Sequence, residues 1–124
     1  MNHPSDLKYT AEHVWVKAEG SVAKLGITDY AQDQLGDILY VDLPDVDREF
    51  AAGDIFTEVE SAKTTSEVPC PVSGKVTAVN EDLDDSPEAI NDDAYAAWII
   101  EIELSDPSEL DALISASEYE AGLE

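Results

Sequence analysis

Ile55-Phe-Thr-Glu-Val-Glu-Ser-Ala-Lys63-Thr-Thr-Ser-Glu-Val-Pro-Cys-Pro-Val-Ser-Gly74 decides the fold, because period-2 patterning runs into a short polar break and resumes beyond it. Before the break Ile55, Thr57 and Val59 alternate with Phe56, Glu58 and Glu60. After it Val68, Cys70 and Val72 alternate with Glu67, Pro69 and Pro71. Successive strand side chains point to opposite faces, so each flank reads as a half-buried strand. Ser61, Thr64, Thr65 and Ser66 lie between, which predicts a hairpin with Lys63 at its tip. Lys63 is one of only five lysines. A primary amine on a flexible stem, presented at a turn, is well placed for covalent modification, and the reading is that Lys63 carries a swinging prosthetic group.

Outward from the hairpin the chain continues in short strands. Residues 7–27 read as strands: Leu7 and Tyr9, then Val14, Val16 and Ala18 on one face, a turn at Glu19-Gly20-Ser21, then residues 22–27. Thr28 predicts the N-cap of a short helix with Tyr30, Ala31, Gln34 and Leu35 at helical spacing, and Gly36 its stop. A strand over 38–43 ends at Pro44, and 45–53 reads as a charged loop closing at Gly53-Asp54. Residues 74–79 form another strand. Residues 80–97 are turn-rich, with one helical turn over 87–90. Trp98, Ile100, Ile102 and Leu104 alternate with acids as a half-buried strand. In the tail Asp106, Pro107 and Glu109 predict a capping box, Leu110, Leu113 and Ile114 an apolar stripe, and 117–123 a last helix. Short strands divided by turns predict a mainly β barrel or sandwich with helical decoration. One domain is expected over 1–124, with a β core over about 7–104 and a helical segment over 106–123.

The charge excludes several partners. Acidic residues number 29 against 6 basic, a formal charge of −23. Nucleic acid needs clustered Lys and Arg, and an anionic membrane surface is disfavoured for the same reason. With 44% hydrophobic residues in clear strand patterns the chain is not a disordered acidic tail. Dispersed acids with few lysines predict a folded domain suited to a high-salt cytoplasm, where a short Debye length screens self-repulsion. Cys70 is the single cysteine, so no internal disulfide forms, and a buried small hydrophobe is expected there. The start of the sequence has no basic or apolar signal region and no run long enough to span a membrane, so a soluble, cytoplasmic protein is expected.

Other candidates are weaker. His13 lies beside a strand without a nucleophile signature and reads as structural; His3 lies in the terminus. Asp82, Asp84, Asp85, Glu88, Asp92 and Asp93 lack the order of a calcium loop and read as a solvated acidic loop. Trp15, Tyr9 and Trp98 read as core aromatics. No phosphate loop, zinc spacing or triad signature is present.

Taken together, Tyr9-Thr10, Glu12-His13, Trp15-Val16, Gly26-Ile-Thr-Asp-Tyr-Ala-Gln32, Leu35-Gly-Asp-Ile38, Tyr40-Val-Asp-Leu-Pro44, Glu60-Ser61, Lys63, Ser66, Pro71-Val-Ser-Gly74, Val79-Asn80, Asn91, Asp93 and Trp98 resemble the H-protein family of the glycine cleavage system over nearly the full length. The resemblance implies a hybrid barrel-sandwich of two small antiparallel sheets, of the lipoyl- and biotinyl-carrier kind, with a short internal helix and C-terminal helices. It implies lipoic acid in amide linkage to Lys63 and no catalytic turnover of the chain's own. The implied partners are a pyridoxal-phosphate glycine decarboxylase, a tetrahydrofolate-dependent aminomethyltransferase, a dihydrolipoamide dehydrogenase and a lipoylating enzyme; a monomer is expected, although the resemblance does not itself imply it. Glu58, Glu60 and Glu67 are expected either to help partners recognise the turn or to be ordinary solvated acids. Val14 stands where the family commonly has glutamate, and Asp47 where it has a turn glycine. A lipoyl relay, another lipoyl or biotin carrier, and a cofactor-less interaction protein are the alternatives; Ala62 and Thr64 beside the lysine favour biotin less.

Overall fold

The computed structural model describes residues 6–122. Three strands open the chain: β1 (Lys8–Tyr9), β2 (Val14–Glu19) and β3 (Val22–Ile27). Gly20 turns between β2 and β3 with φ of 64°, a left-handed conformation that costs glycine nothing. Helix α1 (Asp29–Leu35) follows, capped by Thr28, whose hydroxyl accepts the Ala31 N–H at 3.2 Å. Next come β4 (Ile38–Val41), β5 (Glu49–Phe50), β6 (Ile55–Ser61), β7 (Thr65–Pro69) and β8 (Gly74–Val79). Two single-turn helices, α2 (Asp82–Asp85) and α3 (Ala89–Asp92), lead to β9 (Ile100–Leu104). A 3-10 segment (Pro107–Ala112) and α4 (Ala116–Gly122) complete the described chain.

The strands make two antiparallel sheets, as expected: a six-stranded one in the order β1-β2-β3-β9-β8-β5, and a three-stranded one in the order β4-β6-β7. Val14, Val16, Leu25, Val76 and Ile102 of the larger sheet share one buried cluster with Ile38, Val41, Phe56, Val59 and Val68 of the smaller. A second cluster joins Leu7, Tyr9 and Trp15 to Ala116 and Tyr119 of α4. Gly26 belongs here: a β-carbon at this position would come within 2.6 Å of Trp15 Nε1, which donates to the Ala94 carbonyl at 3.0 Å. The expected core roles of Tyr9 and Trp15 hold, while Trp98 precedes β9 and is half-buried, with the Lys24 ammonium 5.2 Å from its ring centre.

Several local expectations change. The loop over 45–53 contains β5, whose Glu49 and Phe50 pair with Lys75 and Gly74; two residues are too few to show a period. β4 stops at Val41, and Ala18 is exposed. On β6 a register shift between Ile55 and Thr57 turns Phe56 and Thr57 both inward and leaves Ile55 exposed, which breaks the strict alternation. The stretch read as an acidic loop holds α2 and α3, anchored by buried Leu83 and Ile90. Only half of the predicted capping box forms. Asp106 accepts the Ser108 N–H, but Glu109 reaches across to Ser73, accepting its N–H at 2.7 Å and its hydroxyl at 2.9 Å. The last predicted helix is α4; Leu123 and His3 lie outside the described residues. No helix among the described residues is long and apolar enough to cross a membrane.

Candidate functional site

β6 and β7 pair antiparallel up to Glu60 opposite Thr65, which leaves Ala62, Lys63 and Thr64 as an exposed tip. Ser61 builds this turn. Its N–H donates to the Thr64 carbonyl at 2.8 Å, and its hydroxyl accepts the N–H groups of Lys63 and Thr64 at 3.2 and 3.1 Å. A hydroxyl so placed offers the turn backbone local partners where the ladder ends.

The tip is fastened to the corner between α1 and β4. Ala62 N–H donates to the Asp37 carbonyl at 3.2 Å. Beside it Gly36 has φ 79° and ψ −152°, a region essentially reserved for glycine. The Lys63 stem lies against this bare position: a β-carbon there would meet Lys63 Cε at 3.4 Å and Nζ at 3.7 Å. Asn91 of α3 locks the corner from the other side. Its Oδ1 accepts the Ile38 N–H at 2.8 Å, and its Nδ2 donates to the Gly36 carbonyl and to Gln32 Oε1, both at 2.9 Å. Asn91 entered the sequence reading only as part of a motif; its role as a clamp had no local signal. Lys63 forms no ion pair among the described residues, so its amine is open to chemistry.

Acids surround the tip. Glu58 stands opposite Glu67 across β6 and β7, and Glu60 lies between Tyr40 and Thr65 on the same exposed face. Beside the hairpin a cleft of about 260 Å³ opens between α1 and β7, lined by Ile27, Tyr30, Leu35 and Val68 with Glu12, His13, Gln34, Ser66 and Glu67. Leu35 of the lining adjoins Gly36, over which the Lys63 stem lies, and Ser66 of the lining is three residues past Lys63.

His13 is structural, as expected, and it is also a wall of the cleft. It has φ of 70°, its Nδ1 is 2.6 Å from the Tyr119 hydroxyl, and its ring centre lies 4.9 Å from that of Tyr30. Burial pushes the imidazole pKa down, opposed by the charge of Glu12. Cys70 is buried, its thiol pushed up to about 11 chiefly by burial, and it donates to the Val72 carbonyl at 3.0 Å; a thiolate nucleophile is not available there. Among the described residues no group of three or more His, Cys, Asp or Glu is placed to hold a metal ion.

A family model described as "Glycine cleavage H-protein" matches residues 7–124. The glycine cleavage system H protein of Staphylococcus haemolyticus is 56% identical over 120 residues, covering 96% of this chain and 95% of that protein. The protein of the same name from Staphylococcus saprophyticus shows the same identity and coverage. The crystal structure of a glycine cleavage system H protein from Mycobacterium marinum superposes with a TM-score of 0.87 at 37% identity, covering 96% of this chain and 97% of that one.

Proposed function

The chain belongs to the glycine cleavage H-protein family, and from that premise we propose that Lys63 is the residue that carries its lipoyl group. The protein is a non-catalytic lipoyl carrier of the glycine cleavage system. The observation that supports Lys63 as the attachment point is its place at an exposed tip, braced by Ser61 and Asn91, with its stem over Gly36. A carrier must present one reactive end to several active sites, and a rigid sheet under a protruding turn meets that need. Lysine is cationic at neutral pH, with a reference pKa of about 10.4. Amide formation removes that charge and leaves a longer, uncharged arm.

When bound, the lipoyl group supplies a redox-active dithiol pair that accepts and releases a one-carbon amine. This chain's own residues hold the arm's root, and the apolar side of the cleft (Ile27, Leu35 and Val68) is shaped to shelter an aliphatic stem. Glu12 and Glu67 give the same cleft a negative side suited to a cationic cargo. The partners in this reading are the glycine decarboxylase, the aminomethyltransferase, the dihydrolipoamide dehydrogenase and a lipoylating enzyme, met in the cytoplasm by a monomer kept soluble by its charge of −23.

Intact-mass measurement of protein from its native host tests the assignment. A lipoyl increment on the wild type that is lost in Lys63→Arg is the expected result. An increment retained in Lys63→Arg moves the attachment elsewhere. In a coupled assay with glycine decarboxylase, bicarbonate–glycine exchange should require the modified form.

A further inference from the structure

Three side chains far apart in sequence form one hydrogen-bonded chain behind the cleft. Thr28 Oγ1 accepts the Ala31 N–H at 3.2 Å and lies 2.7 Å from the Tyr119 hydroxyl, which is 2.6 Å from His13 Nδ1. Thr28 is fully buried, so its hydroxyl hydrogen must be donated inside the protein or go unsatisfied. The Tyr119 oxygen is the acceptor within its reach. The 2.6 Å separation from His13 Nδ1 is shorter than an N–H donor ordinarily makes and fits an O–H donor, so Tyr119 directs its hydrogen to that nitrogen. The reverse direction would orphan the threonine hydrogen in a site that water does not reach.

We propose that Tyr119 is a positioning residue: through it the C-terminal helix holds His13 as the neutral ring with its hydrogen on Nε2, leaving that N–H as a donor for what occupies the cleft. His13 lines the cleft, and Nε2 has no protein partner among the described residues. The groups that face the ring are Glu12 on its own turn, Tyr30 on α1, Tyr119 on α4 and Glu67 across the cleft on β7. A neutral ring leaves the charge of the cleft to Glu12 and Glu67, whereas an imidazolium would repel a cationic cargo. This part rests on the reading of Lys63 as the carrier residue; the tautomer itself does not.

Nitrogen-15 NMR of the imidazoles in unmodified protein is the direct test. The expected spectrum shows His13 Nδ1 unprotonated and Nε2 protonated near neutral pH. In Tyr119→Phe the preference should collapse to a mixture and the titration of His13 should move up. A wild-type ring protonated on Nδ1 overturns the proposal, as does a Tyr119→Phe spectrum and titration identical to wild type. On lipoylated protein the acid limb of the bicarbonate–glycine exchange profile should move to higher pH in Tyr119→Phe. An unmoved limb overturns the cleft role, while the intact mass reports separately on Lys63.

Discussion

The stem of Lys63 crosses Gly36, so that a single added methyl on the glycine would sit 3.4 Å from Lys63 Cε. That contact ties the backbone strain of one turn to the placement of the side chain on another. Gly36→Ala is therefore expected to cost about 1–3 kcal/mol, because alanine cannot hold this φ and ψ without strain. A lower urea midpoint at unchanged slope is the sign of this loss. Modification of Lys63 by a purified lipoylating enzyme should also slow. An alanine variant as stable as the wild type would show that the corner relaxes freely.

Asn91→Ala removes three hydrogen bonds from the same corner, including the partner of the buried Ile38 N–H. The expected loss is about 1–3 kcal/mol, the cost of stranding one buried polar group. Hydrogen exchange should quicken at Ile38 first. Equal protection there in both proteins would place the support for this corner elsewhere.

Asp47 holds φ of 76° without being glycine, and its exposed carboxylate lies 3.8 Å from the Lys75 ammonium. An exposed pair of this kind contributes little. Asp47→Gly should therefore raise stability by about 1 kcal/mol through relief of the left-handed conformation. A drop in the denaturation midpoint would mean that the carboxylate matters more than the backbone.

Burial lowers the pKa of His13, so the unfolded chain binds the proton more readily. Stability from the neutral ring is fully present above the unfolded value of about 6.5 and is lost as pH falls through the folded value. Protonation of the surface acids relieves repulsion and acts in the opposite direction, so the useful quantity is a difference. The gap in melting temperature between wild type and His13→Gln should narrow from about pH 7.5 to about pH 5. A gap that stays constant would mean that the ring titrates alike in both states.

Glu58 faces Glu67 directly, within a chain of charge −23. Thermal stability is expected to rise from dilute buffer to multimolar KCl as screening shortens the range of repulsion. Glu58→Lys turns a like pair into an opposite pair and should add about 0.2–1 kcal/mol in dilute buffer, with the gain fading in salt. Melting curves that ignore KCl would count against a high-salt origin for this surface.

Much of this architecture is written in local signals. Alternation around residues 55–72, the Thr28 cap, the Gly20 turn and the acid-flanked strand over 100–104 each depend on neighbours in the chain, and the first of them places Lys63 on the tip of the hairpin between β6 and β7. What the tertiary structure alone decided is which of several competent partners each polar group takes. Glu109 had a helix N-terminus close by in sequence yet binds Ser73, 36 residues away. Tyr119 reaches His13 across 106 positions, and Asn91 meets Gly36 across 55. Period and capping describe a residue's own turn or strand. Packing brings remote segments within hydrogen-bonding distance, and there the better-desolvated, better-aligned partner wins.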